Sequence, residues 1–252
     1  MFAAFPMYDR PETAAAHDAL WADLRDRLRQ AGIDAPEALD RDVPYMDGWA
    51  RDDLLVGQIC NLPLRALHCE RLTVLGCGDY GLPDCPPGHY HSVLVVRHDD
   101  PARTAEEAAG HRLAYNDPMS CSGWGAVWTW AESRGLRLAP HLETGAHADS
   151  LAAVAEGRAD LAAIDSITWA MLRRWDPAAR EVRVVGRTGT SPGQSFVTAD
   201  PGIAGTLRAA LAAAIDGLAP DHRATLGLRG LVRLPSGDYD MALPEAPIRR
   251  AA

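Results

Sequence analysis

Lysine is absent from this 252-residue chain: its 25 basic residues are all arginine, set against 34 acidic ones for a formal net charge of −9. That absence excludes Schiff-base and pyridoxal-lysine chemistry, a Walker-type phosphate loop with its lysine, and a lysine general base. An anion bound here has to be held by Arg, His, hydroxyls or backbone N–H groups. The arginines are scattered and form no basic stripe, which with the negative balance argues against nucleic acid as a partner. No run approaches the roughly 18 apolar residues of a membrane span, so a non-spanning chain is expected. The five cysteines, Cys60, Cys69, Cys77, Cys85 and Cys121, form no C-x-x-C pair. Their odd number does not suit a closed disulfide framework and points to a reducing compartment. The first residues, Met1 to Met7, lack a charged n-region and a full apolar h-region, so the chain as written reads as cytoplasmic.

What is present suits an α/β protein. At 47% hydrophobic and 23% charged, the chain can bury a core without staples, as one large domain or two of about 100–150 residues. A strand is expected at Phe2–Met7, and a helix from Thr13 with Leu20, Trp21, Leu24 and Leu28 on one face, closed by Gly32. Strand Asp53–Cys60 follows, with Asn61-Leu62-Pro63 as its exit loop. Then come strand Leu72–Leu75, a Gly/Pro-rich connection from Gly76 to Gly88, and strand Tyr90–Arg97. From Arg112, strands (Arg112–Asn116, Ala139–Glu143, Asp160–Asp165, Val182–Arg187) alternate with helices (Ser122–Arg134, Ala148–Gly157, Ile167–Trp175). Strand Ser195–Thr198 and the Ala-rich helix Ile203–Leu218 close the pattern. Alternation of this kind predicts mostly parallel sheets flanked by helices. Breaks near residues 99 and 190 predict two lobes joined by two crossing segments: 1–98 with 190–252, and 99–189. In such architectures a ligand sits between lobes, at the carboxyl ends of the strands.

Gly76-Cys77-Gly78-Asp79-Tyr80-Gly81 matches G-x-G-x-x-G, but the proline-rich sequel to Gly88 cannot open the helix that a dinucleotide needs, so a Gly-rich loop is expected. Cys85, His89 and His91 invite a metal reading, with both histidines on one strand face, yet no second cluster completes four ligands; no metal and no cofactor is expected. The most informative stretch runs from Tyr115 to Trp124, where a strand ends and a helix begins at Ser120-Cys121-Ser122-Gly123. Helix-terminal N–H groups with two hydroxyls make an anion site without lysine; the plainer reading is that Ser120 or Ser122 merely caps the helix. His147, at the turn before the next helix, is either an anion donor or a solvated loop histidine. Asp165, at a strand's carboxyl end, suits a ligand hydroxyl or amine as well as it suits helix capping.

Strand order and the two crossings resemble the type 2 periplasmic-binding-protein fold, and within it the phosphonate-binding (PhnD-like) family of ABC-transporter substrate-binding proteins. Three stretches carry the resemblance, which runs from Phe2 to about Tyr239: Ser120-Cys121-Ser122-Gly123, Thr144-Gly145-Ala146-His147, and Glu156 to Asp165 with its Gly-x-x-Asp strand. The resemblance implies that Ser120, Ser122 and the Gly123 N–H, flanked by Cys121 and Trp124, grip a phosphate-like group, with His147 as a further donor. It implies that Asp165 reads the organic end. It also places Tyr8, Asn61 and Tyr80 on the ligand from the other lobe. Two departures are visible: Asn61-Leu62-Pro63 lacks the family's Ser, and Cys121 replaces a hydroxyl, so a smaller or less charged anion is implied. The family's periplasmic location and export signal stand against the cytoplasmic reading of the N-terminus.

The function expected is a monomeric solute-binding protein closing by hinge motion on a small anion (phosphonate, phosphate or phosphate ester), with an ABC permease as the implied partner. The alternative is a cytosolic enzyme on the same fold, a chorismate-dehydratase-like lyase in which Ser120, Asn116 or Asp165 orients a carboxylate and abstracts a proton.

Overall fold

In the computed structural model, which describes residues 1–247, the chain forms two compact units: Met1–His89 with Pro192–Tyr239, and Tyr90–Ser191 with residues 240–247. The first crossing falls at His89/Tyr90, not near residue 99. Ser92–Arg97 pairs along its length with Leu161–Asp165, which commits that strand to the second unit. The segment after Tyr239, expected in the first lobe, belongs to the second unit as well.

The first unit has a five-stranded sheet, in the order Phe2–Ala4, Leu54–Ile59, Ser195–Thr198, Thr73–Asp79, Gly230–Val232. Helix Ala14–Gln30 covers one face with Ala16, Leu20, Trp21, Leu24 and Leu28, all buried as the helical spacing predicts. It packs with Leu207, Leu211, Ala214 and Ile215 of helix Ala204–Gly217. Phe5 stands edge-on to Trp21 (6.3 Å) and Phe196 (5.2 Å), tying helix to sheet. At the end of the first helix Gly32 takes φ +79°, which lets Ile33 N–H reach the Leu28 carbonyl at 2.9 Å.

The second unit has its own five-stranded sheet, in the order Ala139–Glu143, Arg112–Tyr115, Leu161–Asp165, Ser92–Arg97, Val182–Arg187. Period-two alternation sends Leu94 and Val96 to one face, with Leu113, Trp124, Val127 and Trp130. It sends Val93 and Val95 to the other, with Leu151, Val154 and Leu172. Both faces are covered, which is why these strands read as unbroken apolar runs.

Neither sheet is purely parallel. Ser92–Arg97 pairs antiparallel with both its neighbours, and Ser195–Thr198 does the same in the first unit. Each of these is the strand that follows a crossing, and each runs against the neighbour on either side. Gly230–Val232 is also antiparallel to its partner. The parallel pairs are those that carry the expected alternation: Phe2–Ala4 with Leu54–Ile59, and Arg112–Tyr115 with both Ala139–Glu143 and Leu161–Asp165.

Three local expectations are corrected. Gly76–Gly78 is not a loop: it lies inside strand Thr73–Asp79, where a β-carbon on Gly76 would stand 2.9 Å from the Val232 carbonyl oxygen, so glycine serves close strand packing. Asn61–Pro63 is a helical turn, since Pro63 sits in the first turn, where its missing N–H costs nothing; it leads into a π-helical turn, Leu64–His68. The strand expected over Tyr90–Arg97 breaks at His91 into His89–Tyr90 and Ser92–Arg97, so His89 and His91 do not share one strand face. Among the described residues, no group of three or more His, Cys, Asp or Glu side chains could hold a metal ion, and no helix is long and apolar enough to cross a membrane.

Candidate functional site

In the second unit three parallel strands end at the same edge: Arg112–Tyr115, Ala139–Glu143 and Leu161–Asp165. The loops beyond the first two are stitched together, with Thr144 N–H on the Tyr115 carbonyl (3.0 Å) and Gly145 N–H on that of Asn116 (2.9 Å). This brings the 116–123 segment, His147 and Asp165 to one place.

Ser120 adopts extended backbone and caps the helix, its Oγ accepting from Gly123 N–H at 3.0 Å. The helix opens with a wide turn, Cys121–Gly125, in which Gly125 N–H reaches the Ser120 carbonyl five residues back (3.0 Å), and continues as Ala126–Glu132. Such π-turns collect at functional sites because they re-aim the residues at a helix end. Gly123 is required here: a β-carbon would stand 1.8 Å from Asn116 Oδ1. Ser122 is fixed from behind, its carbonyl accepting from Ser92 Oγ at 2.9 Å.

Ser122 Oγ lies 2.8 Å from His147 Nε2 and 3.5 Å from Ser120 Oγ. The same Nε2 stands 3.6 Å from Asp165 Oδ2. Asp165 is buried and caps helix Ser166–Trp175: one oxygen accepts from the N–H groups of Ile167 and Thr168, each at 2.9 Å, and the other from the Thr168 hydroxyl. The capping readings of Ser120 and Asp165 hold, and both residues also stand in the cluster. Burial pushes His147 below the ordinary imidazole range; Asp165 and the Ala163 backbone oppose this without overcoming it, so the ring is neutral near pH 7. His147 Nδ1, Asn116 Oδ1 and Ser166 Oγ are buried without a well-formed hydrogen bond.

Not every expected residue joins this cluster. Cys121 is buried with Sγ 4.0 Å from Ser191 Oγ. Trp124 packs against Tyr115 and donates its indole N–H to the Glu245 carbonyl at 2.7 Å, so it anchors the terminal segment of the second unit. Ser166, Ser92 and Thr168 were absent from the expected site, and Asn116 was expected only in the alternative, enzymatic reading. Asn116 and Ser166 each follow a strand's last residue directly, and that position is the signal that could have found them.

In the first unit Tyr8 and Tyr80 meet edge-on at 5.2 Å, with Gln58 donating to Tyr80 Oη at 3.3 Å. Asn61 is buried and accepts from Arg65 Nε at 2.7 Å. Gln58 was missed because it sits within an apolar strand, where alternation marks burial and not chemistry; its Oε1 is buried without a partner. His89, weighed as a metal ligand, instead faces the Pro87 carbonyl and Asp238.

A family model described as "ABC transporter, phosphonate, periplasmic substrate-binding protein" matches residues 76–240. Among solved structures the chain is similar to PhnD1 from Prochlorococcus marinus in complex with methylphosphonate, with a TM-score of 0.70 and 14% identity, covering 95% of this chain and 94% of that one. It is similar to XAC2383 from Xanthomonas citri bound to ATP, with a TM-score of 0.69 and 18% identity, covering 94% and 92%. The periplasmic aliphatic sulphonate binding protein SsuA from Escherichia coli also shares the fold, at a TM-score of 0.59 and 17% identity, covering 90% and 80%. No curated protein matches the sequence.

Proposed function

The chain belongs to the family of periplasmic substrate-binding proteins of phosphonate ABC transporters, and from that premise we propose that it binds a small tetrahedral oxyanion through Ser120, Ser122, the Gly123 turn and His147, for delivery to a permease. Phosphonates, phosphate and phosphate esters are the ligand class. The observation that carries this reading is the contact of Ser122 Oγ with His147 Nε2 at 2.8 Å, at a helix start and at the carboxyl ends of three parallel strands. Hydroxyls and a helix N-terminus are directional donors suited to an oxyanion, and they supply what a lysine would otherwise supply. Asp165, beside them, suits a cationic or hydroxyl-bearing organic end.

The same geometry speaks for binding without turnover. Ser122, His147 and Asp165 carry the residue types of a nucleophilic relay, but a relay needs Asp on one imidazole nitrogen and Ser on the other. Here Nε2 faces both, at 2.8 and 3.6 Å, and both Asp165 oxygens are occupied in a helix cap. An activated serine does not follow from this arrangement.

Thermal shift and titration calorimetry with methylphosphonate, inorganic phosphate, ATP and methanesulfonate test the reading. One or more of the phosphorus anions should raise Tm, and Ser122→Ala should abolish the rise while folding normally. Absence of stabilisation by every anion overturns it.

A further inference from the structure

The cluster holds fewer mobile protons than an oxyanion demands. The Ser122 hydroxyl has one proton. His147 Nδ1 is buried without a hydrogen-bond partner, and Nε2 is the ring nitrogen that meets Ser122. In the neutral tautomer with its proton on Nδ1, Nε2 is an acceptor, and the 2.8 Å contact is then a bond donated by Ser122 to His147. Ser122 then turns only lone pairs towards a ligand. With a proton added from solvent at Nε2, the bond reverses: the ring donates to Ser122 Oγ, and the hydroxyl proton becomes available to an oxyanion.

The charges around the imidazole make this proton conditional. Asp165 is the charged group that acts on His147. On the other elements packed around its helix, Arg112 and Asp160 pair with each other, Arg97 pairs with Asp99, and Arg183 donates to the carbonyls of Asp100 and Ala102. These pairs, like Arg180, Arg187 and Asp149, do not act on the ring as Asp165 does. His147 is also the first residue of helix His147–Ala155, whose N-terminal dipole disfavours a cation and favours an anion. Empty, the site keeps the ring neutral. An anion placed on Ser120 and Ser122 adds the negative charge that favours the imidazolium.

We propose, resting on the reading of the site as an oxyanion site, that ligand capture takes up one proton on His147, making this residue the proton-linked determinant of affinity. Linkage then requires affinity to rise as pH falls between the bound-state and empty-state titrations of His147, by up to about tenfold per pH unit.

The test is titration calorimetry of the whole chain with methylphosphonate and with methanesulfonate, between pH 6 and 8.5, in pairs of buffers of different ionisation enthalpy. After subtraction of the anion's own ionisation, the expected result is an uptake approaching one proton per anion. In His147→Gln, which cannot titrate, binding weakens, and the binding that remains takes up no proton and has a flattened pH slope. The wild-type His147 ring resonances should move from the neutral to the protonated position on adding anion, a readout independent of any variant's folding. Binding without proton uptake, uptake unchanged in His147→Gln, or ring resonances that stay neutral overturns the proposal while leaving the oxyanion site intact. Failure of the wild type to bind either probe, or any phosphorus anion, overturns both.

Discussion

A β-carbon on Gly123 would stand 1.8 Å from Asn116 Oδ1, closer than any non-bonded pair of atoms allows. The loop after one strand and the first turn of the next helix are thus locked by the absence of a side chain. We expect Gly123→Ala to destabilise the second unit by about 1–3 kcal/mol, because Asn116 must move within a packed site. Oxyanion affinity should fall with it, since the turn that carries Ser122 shifts. Chemical denaturation and calorimetry of the variant check both. A variant that binds as tightly as the wild type would show that the Asn116–Gly123 fit is not part of the site.

Asp165 should separate capping from recognition. Asp165→Ala removes the acceptor of two N–H groups and a hydroxyl and should cost about 2 kcal/mol. Asp165→Asn keeps one carbonyl oxygen for the cap and should recover most of that stability. It should also reduce the proton uptake that accompanies binding, because the negative charge 3.6 Å from His147 that favours the imidazolium is removed. Denaturant midpoints measured beside binding constants distinguish the two roles.

Acid should weaken the fold through its buried histidines. His17 is buried, and its desolvation lowers its affinity for protons more than Asp9, the Thr13 carbonyl and Asp18 raise it. Unfolded, the same histidine titrates near 6.5. The unfolded chain therefore binds more protons below that pH, and stability is lost as pH falls from about 6.5 towards the folded-state value. His147 and His68 are shifted in the same direction. We expect Tm to drop between pH 7 and pH 5, with a shallower slope in His17→Gln.

Trp124 makes one bond that a conservative change removes. Trp124→Phe keeps an aromatic ring against Tyr115 but loses the 2.7 Å bond to the Glu245 carbonyl. The segment around Glu245 should be cut faster by limited proteolysis, with stability changed by about 1 kcal/mol plus the lost packing volume. An unchanged cleavage pattern would show that other contacts hold that segment.

Much of the fold was legible because it rests on local periodicity. Leu20, Trp21, Leu24 and Leu28 announce a helix face by spacing alone, and strands Ala139–Glu143, Val182–Arg187 and Ser195–Thr198 stand at the expected residues. Ser120 and Asp165 declare themselves as caps because capping is a relation between neighbours in sequence. The absence of lysine likewise fixed in advance that any anion must be met by arginine, histidine, hydroxyls or backbone N–H groups. Pairing direction was not legible: nothing within Ser92–Arg97 or Ser195–Thr198 says that it will insert antiparallel among parallel strands, since that depends on where the chain re-enters a sheet. Nor could the G-x-G-x-x-G match reveal a strand, because the reason for Gly76 is the Val232 carbonyl more than 150 residues away. Only the tertiary structure joined Ser122 to His147 across 25 residues and set both Ser122 and Asp165 against the same nitrogen. Sequence named the residues that can carry or receive a proton; burial and distance decided which of them meet.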